Sequence, residues 1–268
     1  MSNRVIDIKK GDKTIIIGER INPTGKPMLA AAMREMDLKY IKKVIVEQIE
    51  NGSAVIDINV GADGVDEEVL FAKIASDTLI SSVPLCFDSG SFGAIESALK
   101  NYDGRALVNS ASSANQEYER MLGVAAEYGA MVILLPYSHK QSMTRNDRID
   151  ALEPLLECAY SKGFSQKDIL VDAVVMTVAH DKDAPRQAVD FVQWCDKEGF
   201  MTIAGISNVS FGLPNREKIN NEFLGMLCRA NLTAAIAKPN DENNAVINAA
   251  HLLSGKDEFC LKWIENYK

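Results

Sequence analysis

Four short apolar runs each end on a residue able to hydrogen-bond: Val83-Pro-Leu-Cys-Phe-Asp88, Arg105-Ala-Leu-Val-Asn109, Ile169-Leu-Val-Asp172 and Ile203-Ala-Gly-Ile-Ser-Asn208. Each run reads as a buried parallel strand, with its polar residue where the strand leaves the sheet. A buried, unpaired polar group costs free energy, so several of them at strand ends point to one shared site. Ionised Asp only accepts hydrogen bonds, whereas Asn both donates and accepts. That mixture suits a flat heterocycle carrying amino and N–H donors beside a carbonyl or ring nitrogen. It suits a phosphate poorly, because no Lys/Arg cluster or Gly-rich anion loop accompanies it.

The elements that must position these residues alternate along the chain. Further strand candidates are Thr14–Glu19, Ala54–Val60, Ala130–Pro136 and Thr233–Ala237, brief apolar runs flanked by turn residues. Helical patterns lie between: Asp37–Glu50, Glu67–Leu79, Phe92–Leu99, Gln116–Tyr128, Arg148–Ser161, Pro185–Glu198, Arg216–Ala230 and Asn243–Leu253. Gly52, Gly129, Gly163 and Gly199 follow helices directly, as left-handed C-terminal caps do. Eight such units in 268 residues match the length of a closed (β/α)8 TIM barrel, an α/β fold, in a single domain over residues 1–268. An open doubly wound sheet is the competitor. Its Gly-rich dinucleotide turn does not match the spacing of Gly18-Glu-Arg-Ile-Asn-Pro-Thr-Gly25.

In a barrel the active site lies at the C-terminal ends of the strands. Those ends add Glu19, Asn22, Asp57, Asn59 and Ser207 to the four residues above. Any one of them could instead cap a turn, which is the even alternative for Asn22, Asp57 and Asn59. Arg20 and Arg216 could simply pair with carboxylates. His180 reads as a solvated loop residue beside Asp181 and Asp183.

A formal charge of −8 without a basic stripe argues against nucleic acid as a partner. No signal peptide and no membrane-spanning run is visible, and five dispersed cysteines fit a reducing cytoplasm. With three isolated histidines and no Cys-x-x-Cys pair, no protein-bound metal is expected. Neither a Gly-x-Ser-x-Gly elbow nor a Ser/His/Asp grouping is present.

Several motifs, in order along nearly the whole chain, resemble the pterin-binding methyltransferase family. They are Ile17-Gly-Glu-Arg-Ile-Asn22, Asp57-Ile-Asn-Val-Gly61, Cys86-Phe-Asp-Ser89, Leu107-Val-Asn-Ser110, Leu170-Val-Asp172, Gly205-Ile-Ser-Asn-Val-Ser210, Leu213-Pro-Asn-Arg216 and Ala235-Ile-Ala-Lys-Pro-Asn-Asp241. That family includes methyltetrahydrofolate:corrinoid protein methyltransferases and the folate domain of cobalamin-dependent methionine synthase. The resemblance implies a (β/α)8 barrel, usually a homodimer, binding tetrahydrofolate or methyltetrahydrofolate as substrate at its top. By that similarity Asp88, Asn109 and Asp172 hydrogen-bond the pterin, and Asn208 lies near N5, the methyl-bearing atom. Gly205, Ser207 and Arg216 shape or contact the rest of the folate, with Glu19, Asn22, Asp57 and Asn59 as supporting residues.

No Asp-x-His-x-x-Gly cobalamin motif is found, so the cobalamin is expected on a separate corrinoid protein docking over the barrel mouth. The expected activity moves methyl between that corrinoid and N5, in the direction of methyltetrahydrofolate within a catabolic demethylation system. Phe211 and Lys238 depart from residues carried by some relatives, and their roles stay open. Two alternatives stand beside this one. A dihydropteroate synthase-like enzyme matches only at Ile21-Asn-Pro-Thr24, and a non-catalytic folate-binding module would not need Asn208 near N5.

Overall fold

A computed structural model of the chain describes residues 6, 8–77, 80 and 83–266. In chain order its elements are β1 (Ile15–Ile21), α1 (Pro27–Arg34), α2 (Leu38–Glu50), β2 (Val55–Asn59), α3 (Glu67–Ser76), β3 (Leu85–Asp88), α4 (Phe92–Asn101), β4 (Leu107–Ser112) and α5 (Tyr118–Glu127). Then follow β5 (Met131–Leu135), α6 (Arg145–Ser161), β6 (Ile169–Asp172), α7 (Ala184–Lys197), β7 (Met201–Gly205), α8 (Arg216–Arg229), β8 (Ala234–Ala237), α9 (Asp241–Leu253) and α10 (Leu261–Asn266). All eight strands are parallel and close in sequence order, β8 returning to pair with β1. The expected (β/α)8 barrel is therefore the fold.

Strand periodicity of two divides each run between two apolar layers. Inside the barrel Ile17, Val55, Cys86, Leu107, Met131, Ile133, Leu170, Met201, Ile203 and Ala234 pack together, with Ile6 and Ile8 of the N-terminal segment joining them. The intervening residues, such as Ile56, Phe87, Val108, Val132 and Val171, face the helices in the larger outer layer. Fully burying one such side chain contributes about 1.5–3 kcal/mol, so this two-sided burial is what holds the barrel shut. Continuing the inward set by two residues along β2, β3, β4 and β6 reaches Asp57, Asp88, Asn109 and Asp172. The interior thus changes from apolar to polar toward the strand C-termini.

Local chemistry sets the element ends. The side chains of Asp37, Asp66, Ser91 and Asn240 accept a backbone N–H at the starts of α2, α3, α4 and α9. Gly52, Gly129, Gly163 and Gly199 take positive φ just past α2, α5, α6 and α7, as expected from sequence. Helix α6 begins three residues before the periodicity suggested, because Thr144 and Asp147 form a reciprocal capping box. Thr78 and Leu79, assigned to a helix end from sequence, lie outside the described residues. Among the described residues no helix is long and apolar enough to cross a membrane.

One expected strand is placed differently. The run from Ile203 to Asn208 is not a strand ending on Asn208: β7 stops at Gly205 and Ile206–Ser210 form a 3-10 turn. Arg216 fastens that turn, donating from Nη2 to the Ser207 carbonyl at 2.7 Å and from Nε to Ser210 Oγ at 3.0 Å. Ser210 Oγ in turn meets Asn220 Oδ1 at 2.7 Å. Two short helices, α1 and α10, were not anticipated either.

Candidate functional site

A cavity of about 1040 Å³ opens at the C-terminal end of the barrel. Asp88, Asn109, Asp172, Gly205, Ser207, Asn208 and Arg216 all line it, and so do Glu19, Asn22 and Asp57. Asn59 completes the group from one step behind, donating from Nδ2 to Asp88 Oδ2 at 3.0 Å while its Oδ1 accepts the Gly61 N–H. Asn22 lines the cavity but also closes a local turn, accepting the Thr24 N–H at 3.0 Å. The exposed His180 is not among the lining residues, whereas Phe211 and Lys238 are.

On the β2–β4 side, carboxylates and amides are interlocked. Asn109 Nδ2 donates to Asp57 Oδ1 at 3.2 Å, parallel to the Asn59–Asp88 bond. Asp57 is 4% exposed, and burial followed by the charge of Asp88 pushes its carboxyl up to about 8. Asp88 is raised too, chiefly by burial; the Asn59 amide opposes the rise and the charge of Glu67 adds to it. Two acids so close share a protonation preference, so a ligand presenting N–H donors is welcomed by whichever oxygens are ionised.

Across the cavity Asp172 stands at the end of β6. Removal from water pushes it up to about 6, while the Val174 N–H, 2.6 Å from Oδ1, and the charge of Arg148 act the other way. Gly205 ends β7 where space is scarce: a Cβ there would lie 3.0 Å from Asn208 Nδ2. The amide of Asn208 is exposed and has no hydrogen-bond partner among the described residues. Glu19 accepts from Ser207 Oγ at 3.2 Å; burial raises its carboxyl against the pull of that bond, Lys26 and Arg216. At the rim Arg20 pairs with Glu47 at 3.0 Å and Lys238 with Glu217 at 3.3 Å, so two of the mouth's cations are already neutralised.

The cavity thus has a floor of acceptors and mixed amides, one free amide at its lip, and an opening to solvent. Among the described residues no cluster of His, Cys, Asp or Glu could hold a metal ion. Sequence alone did not single out Arg148, Tyr137, Asn220 or Asn243. Arg148, Asn220 and Asn243 arrive from helices, where no strand-end signal marks them, and Tyr137 follows a β5 run that ends on apolar residues.

Residues 18–242 match the family described as pterin-binding enzymes. The chain belongs to that family. It is also similar to methionine synthase of Mycobacterium leprae, 27% identical over 241 residues, covering 83% of this chain and 20% of that protein. The chain therefore spans about a fifth of the length of that relative. Among solved structures it resembles a dihydropteroate synthase from Clostridium difficile determined in the presence of pteroic acid, with a TM-score of 0.69, 16% identity and coverage of 92% and 99% of the two chains. The dihydropteroate synthase of Coxiella burnetii in complex with pteroic acid gives 0.67 at 12% identity, covering 91% and 94%. That of Yersinia pestis gives 0.64 at 14%, again covering 91% and 94%. At such identities these likenesses establish the barrel.

Proposed function

We propose that this pterin-binding enzyme transfers a methyl group between a corrinoid carried by a separate protein and N5 of tetrahydrofolate. The observation that carries the proposal is the exposed, unpartnered amide of Asn208 at the lip of the Asp/Asn-lined cavity. Identity of 27% to a methionine synthase over most of the chain supports the same reaction class. Asp88, Asn109 and Asp172 hold the pterin by its donors and carbonyl, fixing its plane so that N5 faces the opening. Gly205 keeps the wall thin beside Asn208, and Arg216 secures the turn on which Asn208 rides.

In the direction of methyltetrahydrofolate, the N5 lone pair forms the new N–C bond. The bonding pair of the old methyl–cobalt bond stays with cobalt, and the N5 proton leaves to solvent. In reverse, N5 must gain a proton or a strong hydrogen bond as the methyl departs. Asn does not titrate in this range, but its amide can accept from a protonated N5 or donate to a lone pair. It therefore follows the charge change through a hydrogen bond. The corrinoid, as substrate, meets the folate at the open mouth. We place the enzyme in the cytoplasm, as a homodimer, within a demethylation system that feeds methyl groups to tetrahydrofolate.

Mixing the protein with methylcobalamin and tetrahydrofolate tests this reading. Loss of the methylcobalamin spectrum together with methyltetrahydrofolate in the products supports it. The dihydropteroate synthase neighbours favour a second reading, condensation of a pterin diphosphate with an aminobenzoate. Pteroate formation from those substrates, with no methyl transfer, would replace the first reading by the second. Tetrahydrofolate binding without either reaction would leave a carrier module.

A further inference from the structure

Arg148, in the first turn of α6, is 0% exposed. No carboxylate lies within ion-pair distance among the described residues; its guanidinium is spent on backbone carbonyls. Nε donates to Ala173 O at 2.9 Å, Nη2 to Val174 O at 2.9 Å, and Nη1 to Met143 O. The guanidinium also sits 6.0 Å from the Phe191 ring of α7. Burying an arginine without a carboxylate in ion-pair contact carries a desolvation cost, which its three carbonyl hydrogen bonds offset in part.

The segment it grips is the one that follows Asp172. Val174 has φ of 51°, the left-handed region, which a β-branched residue adopts only under constraint. Val174 is held at both ends: its N–H by Asp172 Oδ1 at 2.6 Å, its carbonyl by Arg148. Ala173 is likewise fixed, its N–H on Ile203 O at 2.8 Å and its carbonyl on Arg148. Val174, Val175 and Met176 then form cavity wall.

We propose that Arg148 is a positioning residue for the pterin site, holding residues 173 and 174 in the conformation that aims the Asp172 carboxylate into the cavity. This rests on reading Asp172 as a pterin acceptor. Arg148 never reaches the ligand; it acts through two carbonyls and through its charge. The electrostatics agree: Asp172 is the foremost of the negative charges acting on Arg148, ahead of Asp147 on α6 and Asp181 in the loop before α7. Conversely, Arg148 is the charged group that opposes the rise of Asp172. The neighbouring strands β5 and β7 carry no titratable side chain, and the other acids lining the cavity are Glu19, Asp57, Asp88, Glu217 and Glu242.

Arg148→Lys keeps the charge but cannot bridge three carbonyls, and Arg148→Gln removes the charge. In variants shown to be folded by thermal melting, tetrahydrofolate affinity measured by calorimetry is expected to fall about 10–100-fold. The double variants with Asp172→Asn should lose little beyond Asp172→Asn alone, because both act on one contact. A second background separates positioning from general stability. Val174→Gly takes positive φ freely, so the penalty of Arg148→Lys should shrink when measured within Val174→Gly.

A ligand-free readout stands apart from the folate reading. In protein labelled with carboxyl-¹³C aspartate, the resonance lost in Asp172→Asn should titrate near 6 in the wild type and at higher pH in Arg148→Gln. Wild-type affinity and an unmoved Asp172 midpoint in the Arg148 variants would overturn the proposal, as would losses that simply add to that of Asp172→Asn. Should the wild type bind no tetrahydrofolate, the pterin reading fails while the carboxyl titration still decides the role of Arg148.

Discussion

The two walls of the cavity achieve order by different means. On the β2–β4 side, Asp57, Asn59, Asp88 and Asn109 restrain one another through side-chain bonds of 3.0 and 3.2 Å between strands in register. On the β6–β7 side the polar groups are held by backbone: Asp172 by the Val174 N–H, the Asn208 turn by Arg216 on the Ser207 carbonyl. The first wall is a prearranged surface whose hydrogen-bonding capacity is largely committed before ligand arrives. The second leaves one amide uncommitted. On the proposed reading, Asp88 and Asn109 of the first wall and Asp172 of the second hold the ligand, while the uncommitted Asn208 amide of the second wall answers to changing charge.

Replacing Asn208 by Ala tests that division most severely. Methyl transfer should slow about 100–1000-fold, the scale of a lost transition-state hydrogen bond, with tetrahydrofolate affinity changing only a few-fold. Equal loss in both would place Asn208 in recognition and erase the contrast between walls. Single-turnover spectroscopy and calorimetry give the two numbers.

On the opposite wall Asn109→Ala should do the reverse. It leaves the Asp57 carboxyl without its amide partner and weakens folate binding by about 10–100-fold, while the methyl-transfer rate at saturation falls far less. Loss of rate at unchanged affinity would count against a recognition wall.

A smaller effect tests the cost of Asp172. Its folded-state carboxyl titrates near 6, above the usual unfolded value, so the folded protein binds a proton more tightly there. The stability it supports is complete at low pH and is lost as pH rises through about 6. Asp172→Asn should therefore raise the stability of the unliganded protein by about 1–3 kcal/mol at pH 8 and hardly at all near pH 4, read by denaturant melts. If Asp172 holds pterin donors as proposed, folate affinity runs the other way and in the wild type should decline below pH about 6. A stability change independent of pH would deny Asp172 its raised pKa. The smallest expected effect is Glu47→Ala at the rim, where the Arg20 pair is half-exposed and its loss should cost less than about 1 kcal/mol.

Much of this was legible in the chain. The (β/α)8 fold follows from brief apolar runs alternating with amphipathic segments, because a strand covered on both faces cannot tolerate polar residues until it leaves the sheet. For the same reason Asp88, Asn109 and Asp172 stood out, whereas Asp57, inside β2, read equally well as a turn cap. Asn208 was found but misplaced, as strand alternation and a 3-10 turn are indistinguishable over three residues without the Arg216 contacts that close the turn. Helix α1 was hidden because its short apolar face follows Asn22-Pro-Thr-Gly25, a stretch that reads as turn throughout.

Arg148 was invisible for a deeper reason. In the sequence it is one charged residue among Arg145, Asn146, Asp147 and Asp150 at the polar start of a helix. Nothing local distinguishes the arginine that points inward, because its partners, the carbonyls of residues 173 and 174, carry no side-chain signature. The sequence by itself determined the strand order, the inward alternation and the acid–amide character of the site, since these depend on the period of two and the cost of burying polar groups. Tertiary structure alone decided which backbone is gripped, which acids are buried against each other's charge and, among the described residues, which amide stays free. Those properties depend on distances between segments far apart in the chain, and on water being excluded from between them.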